Sequence, residues 1–250
     1  MGRAGERVVA SVEARMGSSR LPGKVLMDLG GKPALARLID RLRQCRMVDD
    51  IVLATSTAPG DDVLAQWGQG YGVRVHRGSE DDVLQRVVDA QRSAGSTLTV
   101  EITGDCPLLD PELVDLGIGS FLANDCDVVC NVRLPSYPQG ADVQVFRTDA
   151  LADVAATISD PAVREHVSLY FYEHPELYRV IHLMAPASSQ APDLRLQLDY
   201  PEDLAFIRAV YARLEPELGP YFPVPAILDL LAREPELARI NAHCEEKAVR

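Results

Sequence analysis

The segment Gly17-Ser18-Ser19-Arg20-Leu21-Pro22-Gly23-Lys24 concentrates residue types that bind anions. Glycine and serine let a loop turn its backbone N–H groups toward a phosphate, and Arg20 and Lys24 add full positive charge. Two aspartates stand where alternating apolar and polar runs end: Asp105 after Leu98, Val100 and Ile102, and Asp199 after Leu194, Leu196 and Leu198. A hard ion such as Mg²⁺ takes one or two carboxylates and completes its shell with phosphate oxygens and water. A basic phosphate loop opposite two carboxylates is therefore equipment for handling phosphate groups. Each part has a plainer competing role. Gly104-Asp105 is also a turn signal, and Asp199 is placed to cap a helix from Pro201, with Glu202 completing a capping-box pattern. A Walker A loop is excluded, because Gly17 and Gly23 are one residue too far apart and Val25 replaces the metal-binding hydroxyl.

The elements that must carry these residues follow from hydrophobic period. Val8, Val9, Ala10 and Val12 predict a buried strand over Arg7 to Val12. Leu35, Leu38, Ile39 and Leu42 recur at helical spacing and predict a helix from Pro33 to about Arg46. Strands are expected at 51–54, 73–76 and 98–102, with helices at 61–67 and 80–92 between them. Alternation of this kind predicts an α/β fold of three layers, a mostly parallel central sheet with helices on both faces. In such sheets ligands gather at the carboxyl ends of the strands. The loops there are Gly17–Lys24, Thr55–Thr57, Arg77–Asp82 and Gly104–Pro107, which hold the unusual chemistry of this half. The second half is less regular, with strands expected at 142–146 and 194–198 and a helix from Pro201. The reading is one domain over 1–250 with an irregular region at about 131–185.

Composition narrows the partners. A net charge of −12 argues against nucleic acid and against an anionic membrane surface. The five cysteines (45, 106, 126, 130 and 244) show no metal-ligand spacing, which fits a reducing compartment. No run is long and apolar enough to span a bilayer, and no leader-like segment opens the chain. A cytoplasmic location is expected.

Arg15-Met-Gly-Ser-Ser-Arg-Leu-Pro-Gly-Lys24 resembles the signature of the cytidylyltransferases that make CMP-activated acidic sugars, and within them the SpsF-like, spore-coat polysaccharide subgroup. The resemblance continues in order through Gly31-Lys-Pro33, Arg77-Gly-Ser-Glu-Asp-Asp-Val-Leu84, Thr103-Gly-Asp-Cys-Pro-Leu108, Tyr137-Pro-Gln-Gly-Ala-Asp-Val-Gln-Val-Phe146, Arg164-Glu-His-Val167 and Asp199-Tyr-Pro-Glu-Asp-Leu204. It implies a Rossmann-like nucleotide-diphospho-sugar transferase fold and transfer of CMP from CTP to a small acidic or sugar-like acceptor, with Mg²⁺ as cofactor. Carried over residue by residue, it implies Arg20, Lys24 and Asp105 in catalysis and Asp105 with Asp199 on the metal. It places Ala14, Arg15, Met16, Gly17, Ser18, Ala54, Thr55, Arg77, Gly78, Ser79 and Gly104 around the nucleotide. Asn131, Arg133, Tyr137, Gly140, Asp142, Gln144, Glu165 and His166 would form the acceptor wall. One departure is Gln144, where the subgroup has Glu. The rivals are a sugar-1-phosphate nucleotidyltransferase using another NTP, a glycosyltransferase on the same fold, and a nucleotide-binding subunit without activity. A homodimer remains open as an assembly.

Overall fold

The computed structural model describes residues 5–245. Its first half alternates strand and helix: β1 (Val8–Glu13), α1 (Ala34–Leu42), β2 (Asp50–Ser56), α2 (Asp62–Gly70), β3 (Arg74–Gly78), α3 (Val83–Ser93) and β4 (Leu98–Thr103). The second half adds α4 (Pro111–Ala123), β5 (Val128–Cys130), β6 (Gln144–Arg147), α5 (Thr148–Thr157), α6 (Pro161–Glu165), α7 (Leu169–Glu173) and β7 (Val180–His182). Among the described residues three more helices follow: α8 (Pro201–Leu218), α9 (Val224–Arg233) and α10 (Pro235–Ala238).

All seven strands join one sheet in the order β3-β2-β1-β4-β6-β5-β7. Strands β1 to β4 pair in parallel, and β6 alone runs against its neighbours β4 and β5. The sequence of β1 shows why the sheet is buried on both faces. Val8, Ala10 and Val12 pack with α1 and α4, whereas Val9 points to the other face, against Ala90 and Ala94 of and beside α3. A strand covered twice reads as a continuous apolar run. The expected α/β architecture is the observed one.

Several boundaries moved for local reasons. Helix α1 ends at Leu42 rather than near Arg46, because the N–H groups of Arg46 and Met47 donate to the Asp115 carboxylate, both at 2.9 Å. Helix α3 begins at Val83 because Asp82 caps it, accepting from Gln85 N–H at 3.0 Å. The strand expected at 194–198 does not form. A single bridge between Gln139 and Arg195 is all the ladder it makes, while Leu196 and Leu198 bury against α8. The cap of α8 also differs from expectation: Asp203, not Asp199, accepts the N–H groups of Asp199 and Tyr200, each at 2.9 Å. Asp199 is thereby left to other partners.

Candidate active site

The chain runs from β1 outward to β2 and β3, then returns to place β4 on the other side of β1. That reversal makes the carboxyl ends of β1 and β4 a topological switch point, where open α/β sheets bind ligands. The two strand ends lie very close. Gly104 N–H donates to Glu13 O at 2.8 Å, and a Cβ on Gly104 would stand 2.7 Å from that oxygen. Only glycine fits there. Leu198 N–H donates to Asp105 O at 2.8 Å, which stitches the segment before α8 onto the end of β4.

The loop after β1 curls over this junction. Met16 N–H donates to Asp61 Oδ1 at 2.6 Å, and Met16 O accepts from Ser18 and Gly23 N–H, both at 3.0 Å. Gly23 takes a left-handed conformation (φ 73°), which glycine adopts at no steric cost, and turns the chain into a short 3₁₀ turn over Lys24–Leu26. Lys24 thus points down into the junction. Its Nζ lies 2.7 Å from Asp105 Oδ2 and 2.7 Å from Asp199 Oδ1. Arg20 reaches Asp199 Oδ1 at 2.6 Å, with its guanidinium 5.1 Å from the centre of the Tyr200 ring. The fold therefore brings Arg20, Lys24, Asp105 and Asp199 together.

Two further charged residues complete the cluster, and neither was singled out in the sequence. Arg195 Nη2 lies 2.5 Å from Asp199 Oδ2, and its Nε donates to both Asp203 oxygens at 3.1 Å. Arg195 and Asp203 are almost wholly buried. The i, i+4 spacing of Arg195 from Asp199 is the signal that could have found it. Three cations (Arg20, Lys24, Arg195) now face three carboxylates (Asp105, Asp199, Asp203). Burial opposes charge on Lys24, but Asp105 and Asp199 outweigh it and raise its pKa above the ordinary lysine value. Burial likewise works against the Asp105 carboxylate, and Lys24 overcomes it, holding Asp105 below the usual range. Both residues stay charged at neutral pH.

The donor chemistry here fits Mg²⁺. Asp105 and Asp199 are hard oxygen donors that already converge on one cationic centre. A different group, Glu202, His243 and Cys244, places one donor atom each within 4.8 Å of one another and could also hold a divalent ion.

The other predicted residues are distributed more widely. Ala14 is buried beside Ala54, to whose carbonyl its N–H donates at 3.3 Å, and Thr55 is buried next to it. Arg15 and Gly17 are exposed on the loop, and Ser18 Oγ accepts from Leu21 N–H at 3.3 Å. Arg77 is committed to the loop after β2, donating to Ser56 O at 2.9 Å and Ala58 O at 3.1 Å and pairing with Asp62 at 2.7 Å. Gly78 packs under Arg86, whose guanidinium donates to Ser79 O. Asn131 spends its amide on Ala141 O and Val143 N–H, both at 2.8 Å. Gly140 (φ 88°) crosses Gln197, where a Cβ would come within 2.7 Å of the backbone nitrogen. Tyr137 is buried, Asp142 and His166 are half-buried, and Arg133 and Glu165 are exposed.

A polar row lies beneath the site on the α3 and α5 face of the sheet. Ser11, Glu101 and Gln144 are register neighbours across β1, β4 and β6. Gln144 donates to Glu101 and accepts from Tyr172 Oη, so both ends of its amide are used inside the protein. Burial, then the adjacent Glu101 carboxyl, pushes Glu13 well above the carboxylate range. Burial also raises Glu101, to about 7. Two glutamates in otherwise apolar strands, Val-Ala-Ser-Val-Glu13 and Thr-Val-Glu101-Ile-Thr, were the sequence signal for this pair.

Residues 9–221 match the cytidylyltransferase family. The chain belongs to that family. It is a nucleotidyltransferase, with the family reaction of CTP and an acceptor giving a CMP-acceptor and pyrophosphate. The spore coat polysaccharide biosynthesis protein SpsF of Bacillus subtilis is 36% identical over 232 residues, covering 91% of this chain and 95% of the relative. A solved cytidylyltransferase from Leptospira borgpetersenii superposes with a TM-score of 0.88 at 26% identity, covering 97% of this chain and 99% of that one. CMP:2-keto-3-deoxy-manno-octonic acid synthetase, solved with CTP, shares the fold at a TM-score of 0.60 and 21% identity, over 83% of this chain and 99% of that one. No helix among the described residues of this cytidylyltransferase is long and apolar enough to cross a membrane.

Proposed function

We propose that this cytidylyltransferase activates a small acidic or sugar-like acceptor for assembly of a surface polysaccharide or glycoconjugate, using the junction of β1, β4 and the α8 entry as its reaction centre. The observation that carries the reading is Lys24 Nζ bridging Asp105 and Asp199 at 2.7 Å each, at the switch point of the sheet. The name of the Bacillus relative supports the polysaccharide context.

The acceptor oxygen attacks the α-phosphorus of CTP, and the α–β phosphoanhydride bond breaks with its electron pair leaving on pyrophosphate. Arg20 and Lys24, gathered at this junction, would offset the charge that grows on the leaving group. Asp105 and Asp199 would hold Mg²⁺, which supplies Lewis-acid polarisation of phosphate oxygens when bound. Arg195 and Asp203 fix the Asp199 carboxylate from behind, so that its orientation does not depend on solvent. The loops at Ala54–Ser56 and Arg77–Ser79 would face the base, and the 131–185 region the acceptor. Because Gln144 is engaged at both amide ends, it would shape the acceptor side through Glu101 and Tyr172 rather than by direct contact.

The test is pyrophosphate release with each of the four NTPs across a panel of acidic sugars, amino sugars and phosphonates, with mass spectrometry of the product. A CMP adduct of one acceptor is expected. Turnover with UTP or GTP alone would overturn the reading.

A further inference from the structure

Glu202, His243 and Cys244 play no part in the proposed mechanism. Glu202 belongs to the first turn of α8, and the other two to the segment after α10. One donor atom from each lies within 4.8 Å of the others, and His243 Nε2 is 3.8 Å from Glu202 Oε1.

The segment is held there by contacts that do not use the three donor atoms. Asn241, almost fully buried, donates through Nδ2 to Arg195 O at 3.1 Å and to Asp203 Oδ1 at 2.9 Å. Cys244 N–H donates to Asn241 O at 3.0 Å, and Tyr200 Oη to Glu245 O at 3.2 Å. The backbone on both sides of the cluster is thus set before any ion binds.

The donor set discriminates between metals. Magnesium takes oxygen, whereas one thiolate, one imidazole and one carboxylate form a borderline-soft set suited to tetrahedral Zn²⁺. Three protein ligands leave a fourth position for water or another small donor. The thiol must lose its proton to solvent on binding, and an ion so close to Glu202 compensates that carboxylate as well.

We propose that Glu202, His243 and Cys244 form a Zn²⁺-class site, distinct from the Mg²⁺ centre, that clamps the C-terminal segment onto the first turn of α8. The inference stands on these residues alone and does not depend on which acceptor or nucleotide the enzyme uses.

Metal-stripped full-length protein titrated with Zn²⁺ alone, or with Co²⁺ alone as a spectroscopic probe, tests it. One equivalent is expected to bind, with Co²⁺ giving a thiolate-to-metal charge-transfer band and tetrahedral d–d bands. Zn²⁺ should also slow alkylation of Cys244, because the other four cysteines are buried. Cys244→Ser should abolish the charge-transfer band, and Cys244→Ser and His243→Asn should each weaken Zn²⁺ by about tenfold or more, on the scale of losing a metal-site contact. Both positions are at least partly exposed, and circular dichroism would verify that the variants fold. Zn²⁺ binding of equal affinity and stoichiometry in both variants, or a Co²⁺ spectrum that is octahedral and lacks the thiolate band, would overturn the proposal.

Discussion

Lys24 Nζ lies 2.7 Å from Asp199 Oδ1, across 175 residues of chain. The same ammonium holds Asp105, so removing it leaves two carboxylates facing each other without their shared cation. Lys24→Met should lower turnover by about 10²- to 10³-fold, the usual scale for losing one preorganised electrostatic group. Steady-state pyrophosphate release measures this, and a loss below about tenfold would remove Lys24 from the reaction.

Asp105→Asn keeps the shape of the side chain and deletes its charge. Turnover should fall by about 10²-fold or more, while the thermal melt shifts by only a few degrees. The cluster is already balanced, three cations against three carboxylates, so a divalent ion has little reason to enter alone. Calorimetry should show weak Mg²⁺ binding to the free protein and clear binding once CTP contributes its own phosphate charge. Tight Mg²⁺ binding without nucleotide, unchanged in Asp105→Asn, would contradict the assignment.

Arg195 and Asp203 form a buried pair, and breaking one partner strands the other. Arg195→Met should destabilise the fold by about 3–5 kcal/mol, read from urea denaturation. Asp203 would be left uncompensated, and the cap it provides for Asp199 and Tyr200 weakened. A change under about 1 kcal/mol would mean that the pair is not desolvated in solution.

Burial raises Glu101 from 4.5 to about 7. Between those values the folded protein holds a proton that the unfolded chain has released, so stability falls as pH rises through this window. Glu101→Gln removes the titrating group. Denaturation midpoints measured from pH 4.5 to 7.5 should decline less steeply in the variant than in the parent. An identical slope would show that Glu101 does not titrate there.

Much of the architecture was legible because it is written locally. Val8 to Val12 announce a strand buried on both faces, and the i, i+3, i+4 pattern at Leu35, Leu38 and Ile39 announces a helix. Glycine also speaks locally: Gly23 and Gly140 occupy conformations that other residues rarely adopt. The ordered motifs pointed to the nucleotide chemistry without any coordinates.

What the chain by itself did not determine was which polar groups meet. Asp199 read as a metal carboxylate with a competing capping role; Asp203 takes the cap, and Asp199 turns inward, where Arg20 and Lys24 from distant segments and Arg195 from its own meet it. Arg195 drew no role from the sequence, where it stood in an alternating run whose strand does not form. Gln144 read as an acceptor contact, but its amide is spent between Glu101 and Tyr172. Hydrophobic period is a property of neighbours in sequence, so it survives in one dimension. Charge pairing and hydrogen bonding depend on distance in space, and only the tertiary fold sets Lys24 against Asp105 and Asp199.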